Sequence, residues 1–472
     1  MTNKKFKLAA MSLATAVAVS TVGPSASAVT YYLGNGDITV DQDENRGAYS
    51  YQGEDGKRTY VNEDKAETGD GTIYVQDGHA PTTDTSNNGT EVPTPTDNAA
   101  QSTDASGNNT ENSSTSETTT GNTITVKEDV KDATIVVDGV NVDTSTQTEA
   151  LPDTGSTGDK TIIKVGEGAD VDLTVKNSNL TTGGNGIDIG VNLKDDDDNK
   201  ETNVDLTLDN TKVNLTQNGK AGINVQDNSN VDLTLKGENA IDGSKAIENE
   251  DLKKNVNVEG IRVGGGGAGD GSGASEGAKT HLTISGGVEK TETADADTEE
   301  TESPAGGSLT ISKTTGGLVM AVGSDVEITH GADVTIEDTK TSSSTQAGRA
   351  VTQHGDLTLS GGSSLTIDGV KDNKAPHTGI GIASWDDITV EDGSTLDISG
   401  AATGIYGHQG SDASLTVKDS TLNISDVKKA IEYEGAGVDK EGKALKSAGD
   451  ITFEKAKVNI DAGNIGIMTG NN

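Results

Sequence analysis

The stretch GIGIASWDDITVEDGSTLDISGAATGIYGHQGSDASLTVKDSTLNISD, residues 379–426, contains one short pattern twice. A Gly-Ile step opens each copy, at Gly379 and at Gly404, and two strands with alternating apolar residues follow it. The copies lie 25 residues apart, counted from Ile380 to Ile405 (405 − 380 = 25). A repeat of this length, in which inward Ile, Val and Leu alternate with polar residues on three short strands, is typical of a parallel β-helix.

The same pattern extends over residues 121–472. Further Gly-Ile or looser apolar steps lie at Gly186-Ile187, Gly222-Ile223, Gly260-Ile261, Leu318-Val319, Ala350-Val351, Ala430-Ile431 and Asn464-Ile465. The wider spacings are explained by polar inserts at 194–202, 264–279 and 290–303, since inserts in a solenoid protrude from its turns and do not disturb the stacked strands. We therefore expect an all-β fold, a right-handed single-stranded parallel β-helix of about ten three-strand coils with loop inserts.

The first 28 residues have the features of an export signal. Lys4, Lys5 and Lys7 are basic, residues 8–22 are largely apolar, and Ala26-Ser27-Ala28 supplies a small-residue cleavage pattern. The sequence thus predicts a signal peptide over 1–28 and a protein that is secreted or displayed on the cell surface. No later stretch has the length of a membrane span, so we expect no membrane insertion after the signal is removed.

Two segments precede the repeats. Residues 29–78 contain most of the tyrosines and several short alternating stretches, which predict an N-terminal β cap or a first coil. Residues 79–120 are rich in Thr, Ser and Asn and nearly free of apolar side chains. Such a composition cannot offset the entropy of ordering, and it predicts a disordered linker or a long loop.

The charge narrows the choice of partners. Asp and Glu number 76 against 36 Lys and Arg, a net charge of −40, and loss of three signal lysines makes the mature chain −43 (−40 − 3). Such a chain is repelled by nucleic acid and by anionic membranes, so neither is expected as a partner. The chain has no cysteine, which excludes disulfides and thiolate metal sites.

The repeats also resemble a known family. The segments TITVKEDVKDATIVVDGVNVDTS, TIIKVGEGADVDLTVKNSNLTTGGNGIDI and AGINVQDNSNVDLTLKGENAI, with GIRVGGGG and HLTISGG, look like the carbohydrate-binding-domain β-helix proteins exported by Firmicutes. Those are related in architecture to pectate lyases. The resemblance covers about residues 122–472 and implies the fold and the location. Polysaccharide or cell-wall glycan is the expected partner on the ground of shape, since a β-helix presents long flat sheets on which an extended polymer can lie.

An enzyme of polysaccharide degradation is the first functional alternative. Asp386 and Asp387 precede one strand and His408 follows one coil later, which resembles part of the polygalacturonase pattern. Glycoside hydrolysis needs two carboxylates, one acting as acid. The Asn-x-Asp element expected a coil earlier is missing, because residues 371–374 read Lys-Asp-Asn-Lys. Since Asp-Asp is also common in turns, we expect no catalytic residues.

A lyase would need a basic residue beside acidic calcium ligands, and Arg262 and Arg349 are the candidates. We expect them instead to pair with surface carboxylates. For calcium, the one cofactor to consider, the densest group of hard oxygen ligands is Asp195, Asp196, Asp197 and Asp198. This run lacks the spacing and the glycine of an EF-hand loop, and a solvated insert is the competing interpretation.

The remaining interpretation is a non-catalytic binding protein. Trp385 and Tyr406 lie on neighbouring coils and form the expected sugar-stacking pair, with Asp386, Asp387 and His408 beside them. We expect an exported β-helix surface protein that is carbohydrate-binding or adhesive. Alternatives are a polysaccharide lyase or glycoside hydrolase acting on a uronate-containing polymer, and a purely structural surface protein. Self-association is left open.

Overall fold

A computed structural model describes residues 29–41, 50–52, 58–60, 72–77, 119–150, 157–193, 200–248, 257–264, 279–290, 302–304, 306–340, 348–370, 379–408, 411, 413–435 and 449–470. The signal peptide expected over 1–28, residues 79–118 of the expected linker and the aspartates at 195–198 lie outside the described residues.

The described chain is nearly all β and winds as a parallel β-helix, as the repeats predict, with twelve coils where about ten were expected. Sheet 1 takes one strand from each coil in chain order, and the coils are numbered by these strands. They are Val29–Tyr32, Ile73–Gln76, Ala133–Asp138, Asp170–Lys176, Thr202–Asp209, Ser229–Lys236, Thr280–Ser285, Ser324–Thr329, Leu357–Leu359, Ile388–Val390, Leu415–Lys418 and Ile451–Glu454.

Strands of two further faces complete coils 3 to 12, whereas coils 1 and 2 have only a strand of sheet 3 beside that of sheet 1 among the described residues. The strands of sheet 2 are Asn141–Asp143, Asn179–Thr182, Lys212–Leu215, Glu238–Asp242, Ser308–Ser312, Asp333–Glu337, Ser364–Asp368, Thr395–Ser399 and the first halves of Thr421–Glu434 and Lys457–Gly470. The strands of sheet 3 are Ile38–Val40, Ile124–Val126, Ile163–Gly166, Ile187–Val191, Lys220–Val225, Val258–Val263, Gly316–Met320, Gly348–Gln353, Gly379–Ser384, Thr403–Gly407 and the second halves of those two long strands. Because the long strands pass through the corner, sheets 2 and 3 form one 20-stranded sheet.

The remaining elements are small. A 3-10 turn spans Leu33–Asn35 and a short helix spans Ser244–Glu248. Antiparallel hairpins pair Ser50–Gln52 with Arg58–Tyr60, Thr148–Ala150 with Thr157–Asp159, and Val288–Lys290 with Glu302–Pro304. Among the described residues, no helix is long and apolar enough to cross a membrane.

The core is a set of aliphatic ladders that run along the axis. Val351, Ile382 and Ile405 are paired in register on successive strands of sheet 3, and each is fully buried. Every such side chain stabilises the fold by about 1.5 to 3 kcal/mol relative to an exposed one. The alternation of inward aliphatic and outward polar residues therefore accounts for the stacking.

The structure corrects the alignment of the Gly-Ile steps. Ile405 pairs with Ile382, so the equivalent of Gly404-Ile405 is Gly381-Ile382, whereas Ile380 pairs with Thr403 and is not fully buried. The reason is steric: a Cβ at Gly381 would lie 2.5 Å from the carbonyl oxygen of Gly404. By the same pairings, the steps that the pattern placed at Leu318-Val319 and Asn464-Ile465 lie instead at Gly317-Leu318 and Gly466-Ile467.

The corners between sheets 1 and 2 use the left-handed backbone region. Asn177, Asn210, Asp419 and Lys455 occupy equivalent places with φ of 50°, 50°, 49° and 49°. Asn and Asp tolerate this conformation better than most residues do, which explains their frequency at these turns.

Candidate functional site

Three rings stack at the corner between sheets 3 and 1. Gln353, Ser384 and Gly407 end successive strands of sheet 3 and are paired in register, so the next residues, His354, Trp385 and His408, lie one above another. The ring centroids of His354 and Trp385 are 4.1 Å apart with planes inclined by 15°, and those of Trp385 and His408 are 4.6 Å apart at 18°. We call these three residues the ring column.

Polar and aromatic side chains flank the ring column. Tyr406 meets His408 edge-on, with centroids 5.3 Å apart, and the guanidinium carbon of Arg349 lies 5.1 Å from the centroid of the Trp385 ring. Glu434, the next residue in this vertical row, has Oε2 4.0 Å from Nδ1 of His408. Burial and the Glu434 carboxylate raise the pKa of Tyr406, which therefore stays a neutral hydroxyl at physiological pH.

This packing determines which part of Trp385 a ligand can reach. Both faces of the indole are covered, one by His354 and one by His408, and the side chain is partly buried. Sugar stacking needs an open aromatic face. Trp385 and Tyr406 lie on neighbouring coils but are separated by His408, so they do not form a flat stacking platform together. Because the ring faces cover one another, the ring column offers a ligand the edges of the rings.

Three carboxylates lie at the same corner. Asp356 precedes the sheet 1 strand of coil 9, and Asp386 and Asp387 precede that of coil 10. One oxygen from each lies within 4.8 Å of the others. The N–H of Asp387 donates to Oδ1 of Asp356 at 3.3 Å and to Oδ1 of Asp386 at 3.2 Å, which holds the group together. We call these three residues the carboxylate cluster.

The cluster arises from a repeated aspartate and one exceptional one. Asp325, Asp356 and Asp387 are equivalent in successive coils, and Oδ1 of each accepts the N–H of the residue one coil on. Asp386 occupies the position that is Gly355 in the coil before. A Cβ at Gly355 would lie 1.6 Å from the carbonyl oxygen of Ser324, so a side chain is possible here only in the later coil.

The proximity of the carboxylates changes their protonation. Partial burial, followed by repulsion from Asp356 and Asp387, raises the pKa of Asp386 to about 6. Burial and repulsion also raise the pKa of Asp356. A carboxyl group with a pKa near 6 is mostly ionised at neutral pH but accepts a proton more readily than an ordinary aspartate does.

Buried polar groups support this corner from inside. Ser384 Oγ donates to the carbonyl oxygen of Asp386 at 2.6 Å, and Gln353 Nε2 donates to the carbonyl oxygen of Asp387 at 2.6 Å. A Cβ at Gly407 would lie 2.8 Å from the Tyr433 ring, so this glycine makes room for the tyrosine. Burial, and then the charge of Asp387, raises the pKa of Tyr433.

The structure brings together all five residues expected at a glycan site, namely Trp385, Tyr406, Asp386, Asp387 and His408. Sequence reasoning did not include Arg349, His354 and Asp356 in this site, because the element expected one coil earlier was sought at residues 371–374, which lie outside the described residues. In the structure Leu357 pairs with Ile388, and this register aligns His354-Gly355-Asp356 with Trp385-Asp386-Asp387.

The other charged candidates lie elsewhere. Arg262 donates through Nε to Glu259, whose side chain is 1% exposed, so this arginine is held in a buried ion pair on sheet 3. The expected pairing with a surface carboxylate is therefore wrong in its partner, because Glu259 is buried and lies on the same strand as Arg262. The aspartates at 195–198 lie outside the described residues, and the calcium expectation for them stays a prediction.

Comparison with known proteins found no match: no family model, no curated protein and no solved structure is similar to this chain. No function can therefore be carried over from a relative.

Proposed function

We propose that this chain is an exported surface protein that binds polysaccharide without cleaving it, at the corner formed by the ring column and the carboxylate cluster. The observation that carries the proposal is the alignment of ring edges from three successive strands of sheet 3 with the carboxylates of coils 9 and 10 at the same corner. Carboxylates and imidazole nitrogens are strong hydrogen-bonding partners for sugar hydroxyls. Because coils repeat about every 4.8 Å, an extended polymer along the axis meets similar groups repeatedly.

The rigidity of the corner favours binding. The rings pack on each other, and Ser384 and Gln353 anchor the backbone of the turn that carries the carboxylates. Side chains that are already ordered lose little entropy when a ligand binds. The acidic surface favours neutral or amino sugars, and it repels a uronate polymer unless a cation bridges the two.

The test is binding of the purified chain to a panel of neutral, uronate-containing and amino-sugar polysaccharides by calorimetry. We expect Trp385→Ala and Asp386→Asn each to weaken binding at least about tenfold, equivalent to 1.4 kcal/mol. Tyr74→Ala is the control, since Tyr74 is a partly buried tyrosine on sheet 1 in coil 2. Absence of binding to every polymer would refute the proposal and favour a purely structural role.

Hydrolysis of a uronate-containing polymer is the second candidate, favoured by the raised pKa of Asp386 beside two other carboxylates. Catalytic carboxyl groups of retaining glycosidases lie about 5 to 5.5 Å apart and those of inverting enzymes about 6.5 to 9.5 Å. The oxygens here lie within 4.8 Å, closer than either arrangement. Release of reducing ends or unsaturated products, abolished in Asp387→Asn, would establish an enzyme instead.

A further inference from the structure

The end of the β-helix at coil 1 is covered. Leu33, Ile38 and Val40 belong to this coil, and each is at most 3% exposed. The strand Ser50–Gln52, which forms an antiparallel hairpin with Arg58–Tyr60, lies against the strand of coil 1 that contains Ile38 and Val40. Covering of this kind keeps the edge of a sheet from pairing with other chains.

Coil 12, at the opposite end of the described solenoid, is open. Phe453 pairs in register with the fully buried Val417 of coil 11 but is itself 37% exposed. Ile467 pairs likewise with the fully buried Ile431 and is 46% exposed. Ile460, which continues an inward ladder of sheet 2, is only partly buried. The aliphatic ladders of the core therefore end on solvent at coil 12.

This end also has a long free backbone edge. The strand Lys457–Gly470 has 14 residues and pairs with coil 11 on one side, and no strand among the described residues pairs with its other side. The N–H of Lys457 donates to the carbonyl oxygen of Ser420 in coil 11 at 2.9 Å. Successive N–H groups of a strand point to opposite sides, so the N–H of Val458 faces away from coil 11. Such an edge is a template for a further strand.

The charge of this end favours a second copy of the chain as the occupant. Residues 449–470 contain three acidic and two basic side chains, a net charge of −1 (2 − 3), in a chain whose net charge is −40. Electrostatic repulsion between two such acidic chains is therefore weak where their coils 12 approach each other. A strongly basic partner, by contrast, has little to attract it here.

Two-fold symmetry makes the pairing self-consistent. A copy turned about an axis perpendicular to the solenoid lays its strand Lys457–Gly470 antiparallel to that of the first. The strand turns its corner near Gly463 and Asn464, where its register with coil 11 shifts. The inward residues Ile460 and Ile467 are equally far from this corner, because 460 + 467 = 463 + 464 = 927. Ile460 of one copy thus lies opposite Ile467 of the other.

We propose that coil 12 is a self-association surface, at which two copies of this chain pair coil 12 against coil 12 and continue each other's sheets and core across a two-fold axis. Because the coil 1 end is covered, the contact closes as a dimer and does not propagate into a filament. This association does not depend on polysaccharide binding, which is proposed at the corner of coils 9 and 10.

Sedimentation of the purified chain over a range of concentrations measures the association. We expect twice the monomer mass, with dissociation on dilution. Ile467→Asp places a charge in the apolar contact of both copies and should raise the dissociation constant of the dimer at least about tenfold. Val322→Asp is the matched control, since Val322 is 54% exposed in the turn before the sheet 1 strand of coil 8 and should not affect the dimer.

Three results would overturn the proposal. The first is a parent chain that remains monomeric at every concentration. The second is equal weakening of the dimer by Ile467→Asp and Val322→Asp, which would place the contact elsewhere. The third is a series of larger oligomers that grow with concentration, since a two-fold contact stops at two copies.

A single introduced cysteine tests the geometry, because the chain has none of its own. Asn464 lies beside the two-fold axis, which brings its Cα within about 7 Å of the Cα of its own copy, the reach of a disulfide. Asn464→Cys should therefore oxidise to a covalent dimer. Asn459 is exposed on the same strand but lies nine places from its own copy (927 − 459 = 468, and 468 − 459 = 9). Asn459→Cys should stay uncross-linked, and equal cross-linking of the two variants would refute the two-fold arrangement.

Discussion

Replacing Gly260 by alanine tests whether the small residues at one place of sheet 3 set the packing of the β-helix. We call this row the glycine column; it consists of Gly186, Gly222, Gly260, Gly317, Ala350, Gly381, Gly404, Ala430 and Gly466. Gly260 and Gly466 occupy equivalent places in sheet 3, in coils 6 and 12. A Cβ at Gly260 would lie 2.3 Å from Cγ2 of Ile311 and 2.5 Å from the carbonyl oxygen of Gly317. At Gly466 the nearest atom would be 3.9 Å away, an ordinary contact.

The expected magnitude follows from two opposing effects. Overpacking a well-packed core costs about 1 to 3 kcal/mol, and both contacts at Gly260 demand movement, one of them by backbone. Alanine recovers about 0.5 to 1 kcal/mol because it restricts the unfolded chain more than glycine does. We therefore expect Gly260→Ala to lower the free energy of unfolding by about 1 to 2 kcal/mol, and Gly466→Ala to leave it unchanged or raise it slightly.

Urea unfolding followed by circular dichroism measures this difference, provided that the slope of the transition is the same in all three proteins. The comparison between the two alanine variants removes effects of glycine composition in the unfolded state. If Gly260→Ala is as stable as the parent, or if Gly466→Ala loses as much stability, the steric account of the glycine column is wrong.

Two further predictions concern polar residues of the coils. Burial, then repulsion from Asp172 and Asp232, raises the pKa of Asp205 from 3.8 to about 6. The folded state therefore binds this proton more tightly than the unfolded state, and the stability of the protein falls as the pH rises from about 4 through 6. Asp205→Asn should therefore raise the free energy of unfolding by about 1 kcal/mol at pH 7, a value discounted for solvent screening, and should leave it unchanged at pH 4. An equal increase at both pH values in urea unfolding would contradict this explanation. Asn239 is 3% exposed, donates to three backbone carbonyls and accepts the N–H of Thr211 at 3.0 Å. In thermal unfolding we expect Asn239→Ala to lower the free energy of unfolding by about 2 to 4 kcal/mol, and Asn230→Ala, at an exposed position, to lower it by less than about 0.5 kcal/mol. Equal losses in the two variants would refute the stabilising role of the Asn239 hydrogen bonds.

The candidate site was only partly predictable from sequence. Trp385, Asp386 and Asp387 stand out because they interrupt a regular repeat, and Tyr406 and His408 follow one coil later. His354 and Asp356 could not be assigned to the same corner until the pairing of Leu357 with Ile388 was known. Arg349 was noted as an outward arginine, but its place against the Trp385 ring depends on a contact between coils.

The fold class is determined by the sequence itself, because alternation of apolar and polar residues at a period of about 25 leaves no other way to bury the inward faces. Register was decided by the tertiary structure. In the segment GIGI either Gly-Ile step satisfies the local pattern, and only the carbonyl oxygen of Gly404, 2.5 Å from a Cβ at Gly381, selects the second. The stacking of His354, Trp385 and His408 likewise depends on strands that are distant in sequence and adjacent in space, so the covered faces of the tryptophan are a property of the stacked coils alone.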